Sequence, residues 1–459
     1  MKIKNICLLI AALFQIGCSS SDSVEEEVQI SAPEFVSSIP ENNAVNVRIS
    51  TNIEVVFNED ISLAEDHGIT INDESVNVEA SSTKLIFTVD LENDLTYTIN
   101  IPQEAVLNTL GNPLASEIQI SFTTVDASIV SEGAMQFVAN MGVGWNLGNT
   151  LDTRDADETT WGNPLTTKSL IDVVRNKGFK TLRVPVTWQY HMGAAPDYTI
   201  EKDWLDRVEE VVNYGLDNDM YVIINIHHDD EWVIPTYAEL DRTKDQLGKV
   251  WTQIASRFKS YSNYLIFETL NEPRLAGSDE QWKGGTAEGR DCLNQLQQIA
   301  VDAIRNTGGE NTDRYIMVST YGASRSSVAL DGFVLPSGNN LIVSVHGYSP
   351  YKFCMAQSNY NTTWGTDAEK EALDAEFDKV KAKFIDNGIA VVMAEWGTID
   401  HDNLEYRIEY AEYYAKGCIQ RGICPVLWDD GGWYIVLNRD SYQWKFPGIA
   451  DAIVSATEE

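Results

Sequence analysis

The run Tyr264-Leu-Ile-Phe-Glu-Thr-Leu270 leads directly into Asn271-Glu272-Pro273, and its reading decides the fold. A mostly apolar stretch of this length suits a strand buried on both faces. Pro273 brings no backbone donor and favours an extended Glu272, so that carboxylate is expected at a rim, not wound into a helix. A second carboxylate, Glu395, ends the run Ala390-Val-Val-Met-Ala394. One glutamate at a strand end is ordinarily a helix cap or a solvent contact. Two of them, presented from the ends of two buried strands, can flank one scissile bond, one as proton donor and the other as nucleophile or base.

Outward from these runs, the chain beyond Glu132 alternates β segments with helical ones. Strand candidates are 142–147, 180–186, 221–226, 264–270, 315–319, 341–345, 390–394 and 425–427, and helical connectors include 202–217, 247–260, 291–306, 367–386 and 404–417. Eight strands with helices between them predict an α/β fold, a (β/α)₈ TIM barrel. Upstream, residues 31–126 carry short alternating β runs such as 53–57, 84–89, 97–101 and 118–122, separated by turn signals at 40–43, 93–94 and 111–113. These predict a small all-β sandwich.

In a barrel of this kind the C-terminal strand ends form the active face. Reading them in order gives Asn146 and Asn149, Arg183, His227-His228, Asn271-Glu272, His346 and Tyr348, Glu395 and Trp428. Singly, a histidine is usually a packing residue, an arginine an ion-pair partner and a tryptophan part of a core. Their collection on one rim is what a polar active face predicts. Trp161, Trp232 and Trp433 fall in predicted loops after strands, where flat rings can stack on the C–H faces of pyranose sugars unless core packing claims them.

The part of the chain from about 132 to 457 resembles glycoside hydrolase family 5, the cellulase family of retaining barrel enzymes. The likeness rests on Gly144-Trp-Asn-Leu-Gly-Asn-Thr150, Arg183-Val-Pro-Val186, His227-His228, Asn271-Glu272-Pro273, His346-Gly-Tyr348, Ala394-Glu395-Trp-Gly397 and Trp428-Asp429. Trp396 stands where Phe is common. The sequence from Gly144 through Asp152, with Trp161-Gly-Asn-Pro164, is similar to the branch rich in endoglucanases, xyloglucanases and lichenases. The resemblance implies Glu272 as acid/base, Glu395 as nucleophile held by Arg183 and Tyr348, and Asn271 on the sugar 2-hydroxyl. It further implies that His227 and His346 orient the network and that Trp428 faces the sugar. The substrate it implies is a β-1,4-glucan polysaccharide, with xyloglucan or mixed-linkage β-glucan as alternatives and mannan or xylan further off. Residues 31–126 are similar to bacterial Ig-like domains. No tryptophan precedes residue 140, so a spacer is a better expectation for them than a sugar-binding module. A glycan-binding protein that had abandoned catalysis would be expected to lack one of the two carboxylates, and an adhesion protein led by the small domain would not place every tryptophan in the barrel.

The chain has 459 residues, and 33 Lys and Arg against 69 Asp and Glu leave a net charge of −36. Such a surface repels nucleic acid and anionic lipid and suits a neutral partner. Lys2 and Lys4, the apolar run from Ile6 to Ile16 and Gly17-Cys18-Ser19-Ser20 read as an export signal too short to span a bilayer. The residues around Cys18 resemble a lipobox, and the stretch through Glu25-Glu26-Glu27 resembles the tether of surface lipoproteins. The expected organisation is therefore a signal at 1–17, a tether at 18–30 beginning with an acylated Cys18, a sandwich at 31–126 and a catalytic barrel at 127–459. An outer-membrane lipoprotein, at the cell surface or else periplasmic or secreted, follows from this, with no membrane contact beyond the lipid and a monomeric state. Cys292, Cys354, Cys418 and Cys424 are spaced unlike a zinc site and read as buried free thiols. No metal and no cofactor are expected.

Overall fold

The computed structural model describes residues 32–47, 53–89, 91–92, 95–124 and 133–457. The export signal, Cys18, the tether and the 93–94 turn signal lie outside the described residues.

Eight parallel strands close into a barrel in chain order: β1 Gly144–Leu147, β2 Thr181–Val184, β3 Tyr221–Asn225, β4 Leu265–Glu268, β5 Ile316–Ser319, β6 Leu341–His346, β7 Ala390–Trp396 and β8 Ile423–Asp429. β8 pairs with β1, with Gly144 opposite Val426. Every residue of these strands is buried, as expected when helices cover the outside and side chains fill the inside. The period-two alternation then sorts the interior into tiers. Helix Ala134–Asn140 closes the lower end, where Phe137 stacks on Tyr315 at 3.6 Å. Above it lies an apolar tier of Ile223, Ile266, Met317, Ile342, Val392 and Val426. Two residues further along several of the same strands the interior turns polar, at Asn225, Glu268 and Ser344, joined by Asn146 and Arg183. The intervening residues, such as Leu182, Ile224, Phe267 and Val343, face the helices and belong to the main core.

β7 departs from this alternation. Met393 pairs with Val345, but the next residue of β6, His346, pairs with Glu395, so Ala394 is an extra residue in the ladder. The same irregularity appears against β8, between Met393 and Trp396. Since Ala390, Val392 and Ala394 line the interior, an unbroken alternation would turn Glu395 outward and Trp396 inward. The bulge reverses that parity. Glu395 thus enters the barrel mouth while Trp396 packs outside, stacked on Tyr414 at 4.3 Å. The expectation that Glu395 follows its strand is corrected accordingly: it lies within β7.

The predicted helices are observed, with extended starts at Leu240–Arg257 and Ala287–Asn306. Lys168–Lys177 and Pro447–Ser455 add two amphipathic helices that the sequence reading did not single out. The described upstream residues form two main sheets, beside a two-stranded pair of Ile61–Leu63 with Val106–Asn108. One orders Phe35–Ile39, Ile53–Phe57, Lys84–Thr88 and Asn77–Ser81, and the other orders Ala44–Val47, Ile118–Thr124, Thr96–Ile101, Thr70–Ile71 and Glu74–Ser75. Alternate residues such as Val55, Leu85, Ile99 and Phe122 form their shared core. Among the described residues no helix is long and apolar enough to cross a membrane. Cys292, Cys354, Cys418 and Cys424 are free and buried.

Candidate active site

The upper tier of the barrel is organised by Arg183, whose side chain has no exposed surface. Its Nε donates to Glu268 Oε2 at 2.8 Å, Nη1 to Asn146 Oδ1 and to Glu395 Oε1, both at 2.9 Å, and Nη2 to Asn271 Oδ1 at 2.7 Å. One guanidinium thus fixes the position of four side chains in and around the mouth. Glu268, equally excluded from water, also accepts from Asn225 Nδ2 at 2.8 Å and from Ser344 Oγ at 2.5 Å. The buried ion pair is therefore fully hydrogen-bonded, the condition under which such a pair is tolerated.

Glu395 receives Arg183 on Oε1 and the Tyr348 hydroxyl on Oε2 at 3.1 Å. His346 Nδ1 lies between the two carboxylates, 2.9 Å from Glu272 Oε1 and 3.4 Å from Glu395 Oε2. His346 Nε2 is buried with no hydrogen-bond partner among the described residues, so the ring proton belongs on Nδ1. Glu272, His346 and Glu395 each offer an atom within 4.8 Å of the other two. Glu272 is the more open carboxylate, its side chain 20 % exposed against 8 % for Glu395.

These three groups share their protons. Burial raises the Glu395 carboxyl above its ordinary value, against the pull of His346 and Arg183. Burial pushes Glu272 upward too, but the His346 hydrogen bond and charge, helped by Arg274, outweigh it and leave Glu272 lowered. His346 is raised, since both carboxylates favour its cation more than burial disfavours it. The trio therefore titrates as a unit, with its mobile proton held at Nδ1 between two acceptors.

Most of the other expected site residues sit around this trio. His227 is buried, its Nδ1 3.1 Å from Asn225 Nδ2 and its Nε2 3.3 Å from Asn271 Nδ2. Burial and the nearby His228 and Arg183 charges hold it well below the usual histidine value, so it is neutral. Asp152, His227 and His228 form a second group with metal-ligand spacing, but the Asp152 carboxylate already accepts the backbone N–H groups of Asn149 and Thr150. Trp428 lies nearly parallel to the His227 ring at 6.0 Å. Gly148 is pressed against it, since a Cβ there would fall 2.6 Å from Trp428 Cζ2. Trp161 is 39 % exposed with its ring 5.8 Å from His228, and Trp433 is 51 % exposed. Asn146 is wholly buried and supports the site from below, accepting from Arg183 and donating to the Ala394 carbonyl that precedes Glu395.

Trp232 corrects an expectation. Instead of offering a face in a loop it is packed in the barrel core, its indole N–H donating to Asp229 Oδ1 at 2.8 Å. The apolar Val233-Ile234-Pro235 that follows it draws this segment inward. Conversely, Asn225, Glu268 and Ser344 were not singled out from the sequence. Their signal was available as polar side chains two residues beyond an interior apolar one on the same strand.

The model of the family described as Cellulase (glycosyl hydrolase family 5) matches residues 140–432. The chain belongs to glycosyl hydrolase family 5. As a family 5 enzyme it is an endo-acting glycoside hydrolase of the cellulase class. Residues 29–124 match the bacterial Ig-like domain. Endoglucanase B of Clostridium cellulovorans is 47 % identical, over 73 % of this chain and 79 % of that protein. The solved structure of ZgEngAGH5_4 in complex with a cellotriose is 56 % identical, covers 71 % of this family 5 chain and 98 % of its own, and superposes with a TM-score of 0.69. A broad specificity endoglucanase from Clostridium acetobutylicum is 46 % identical over 71 % of this chain and all of its own, with a TM-score of 0.70.

Proposed function

We propose that this family 5 enzyme cleaves internal β-1,4-glucosidic bonds with retention of anomeric configuration, Glu395 acting as nucleophile and Glu272 as acid/base. The observation that carries this reading is the close pairing of the two carboxylates, with atoms of each within 4.8 Å around His346 Nδ1. A gap of that size suits direct attack on the anomeric carbon, whereas an inverting pair stands roughly 6.5–9.5 Å apart to admit a water. The unequal donor sets support the division of labour. Glu395 faces Arg183, Tyr348 and His346, donors that orient its two oxygens for attack and oppose the rise that burial gives its carboxyl.

In the first step Glu395 attacks the anomeric carbon and forms a glycosyl ester, while Glu272, carrying its proton on Oε2 with Oε1 facing His346 Nδ1, protonates the leaving oxygen as the glycosidic bond breaks. In the second, Glu272 takes a proton from water, which attacks the ester and frees Glu395. Esterification removes the Glu395 charge, so the proton affinities of Glu272 and His346 fall as the step requires. Asn271, held by Arg183, is placed for the sugar 2-hydroxyl, and Trp428, Trp161 and Trp433 for sugar faces.

The preferred chain is a cellulose-like β-1,4-glucan, with xyloglucan and mixed-linkage β-glucan as the alternatives. Two exposed rings at Trp161 and Trp433, together with the breadth of the Clostridium acetobutylicum relative, support tolerance of more than one backbone. Export as a monomeric lipoprotein anchored through Cys18 is part of the same proposal and rests on the first thirty residues of the sequence.

The test is to incubate the purified 19–459 protein with carboxymethylcellulose, xyloglucan, mixed-linkage glucan, mannan and xylan, measuring reducing ends, product lengths and the first-formed anomer. Release of short β-configured oligosaccharides from a β-glucan supports the reading, and α-configured first products would overturn retention. Glu395→Gln should abolish turnover with oligosaccharide Kd nearly unchanged. Binding without cleavage by the unmodified protein would instead indicate a glycan-binding protein. Loss of membrane association on Cys18→Ala tests the anchor.

A further inference from the structure

The two oxygens of Glu272 have different surroundings. Oε1 is 2.9 Å from His346 Nδ1, so the oxygen left to meet a leaving group is Oε2. The charged donor beside it is Arg274, whose Nη1 lies 3.9 Å from Oε2 and donates to the Glu272 backbone carbonyl at 2.8 Å. That guanidinium is held on three sides. Asp230, from the loop after β3, accepts from Nη1 at 3.3 Å and from Nη2 at 3.4 Å. Trp282 presents its ring face to the guanidinium carbon at 4.3 Å, a favourable placement for a cation. The Glu272 carbonyl completes the cradle. Asp230 is in turn bound at 2.8 Å by Arg154, which also approaches His228 Nδ1 at 3.4 Å.

We propose that Arg274 is a positioning residue that, balanced by Asp230, sets how firmly Glu272 Oε2 holds the proton it delivers to the leaving oxygen. The inference rests on the reading of Glu272 as acid/base. Other groups also face Glu272: His346 at the end of β6, Tyr348 beyond it, Glu395 in β7 and His228 with Asp230 beyond β3. Of these, His346 acts on Oε1, while Arg274 is the cation placed toward Oε2 and shares a loop with it. Its charge favours the Glu272 anion, and Asp230 offsets part of that charge. Arg274, Asp230 and Glu272 side chains are 12 %, 15 % and 20 % exposed, sheltered enough for single charges to matter in spite of solvent screening.

Opposite signs follow for opposite charge deletions. The alkaline limb of kcat/KM reports loss of the acid's proton. Arg274→Ala removes a cation, so Glu272 holds its proton more firmly and the limb moves up, by roughly half to one pH unit. Asp230→Asn leaves Arg274 uncompensated, and the limb moves down by a similar amount. Arg274→Lys keeps the charge and should restore the limb even where the rate stays reduced. The experiment is the pH profile of kcat/KM on cellotetraose for these three variants and the wild type. Glu272→Ala is assayed in parallel on cellotetraose and on a dinitrophenyl cellobioside, whose leaving group needs no acid. Opposite shifts with lysine rescue support the inference. Limbs that stay fixed while rates fall, or that move the same way, overturn it and leave Arg274 a structural residue. Wild-type cellotetraose turnover by Glu272→Ala would overturn the acid/base reading itself.

Discussion

Glu268 carries no exposed surface, and its carboxylate is shared among Arg183, Asn225 and Ser344. Glu268→Gln would keep the volume but leave the Arg183 cation buried with its main counter-charge gone, a change of the kind that costs about 3–5 kcal/mol. A large fall in Tm is therefore expected, with reduced turnover because Arg183 no longer holds Glu395 and Asn271 in place. An unchanged Tm would show that Glu395 alone compensates the guanidinium. Gly148→Ala tests a different residue: with 2.6 Å between the added Cβ and the Trp428 ring, the indole must move. The expected outcome is a raised KM for oligosaccharides and quenched or shifted tryptophan emission, with the pH profile unaltered. At this scale the sequence was readable where a residue stood beside a distinctive neighbour, as Glu272 does before Pro273. It was not readable for Glu268, which looks like one polar interruption in an apolar run until the barrel gives that position a direction.

Strand and helix identities were the most legible, because unbroken apolar runs and amphipathic connectors follow from burial alone. All eight barrel strands appear where such runs occur, although β4 ends at Glu268, before the segment that carries Asn271 and Glu272. The parity of Glu395 was beyond reach, since a bulge leaves no mark in composition: Ala390 through Trp396 reads identically with or without Ala394 looped out of register. Trp232 shows the complementary error, where a loop assignment was right in chain position and wrong in depth. Helix Asp367–Lys383 provides an independent check on elements remote from the site. Thr366 caps it, and Glu369 returns the hydrogen bond to the Thr366 backbone in a capping box. Thr366→Ala should lower stability by about 1 kcal/mol, read from chemical denaturation, with kcat/KM unaffected.

For the molecule as a whole, the upstream sandwich has its own buried core, built from residues such as Val55, Leu85, Ile99 and Phe122, and the barrel's polar tier is assembled wholly from residues beyond 140. Removing residues 19–126 should therefore leave turnover on soluble substrate essentially unchanged, and a large loss would mean that the sandwich helps to shape the cleft. The two-part organisation could be anticipated from the switch between short alternating β runs and long apolar ones. The contribution of single side chains to closing the barrel could not. Arg183 bonds at once to groups on β1, on β4 and its following loop, and on β7, so it is a keystone of the upper rim as well as a part of the chemistry. Descendants that gave up hydrolysis could discard Glu272, which makes no bond to the arginine, more cheaply than Glu395, which pairs with it, yet would still need the arginine to keep the mouth of the barrel shut. Its presence in a related sequence is therefore a mark of an intact scaffold, and only the glutamates bear witness to a working enzyme.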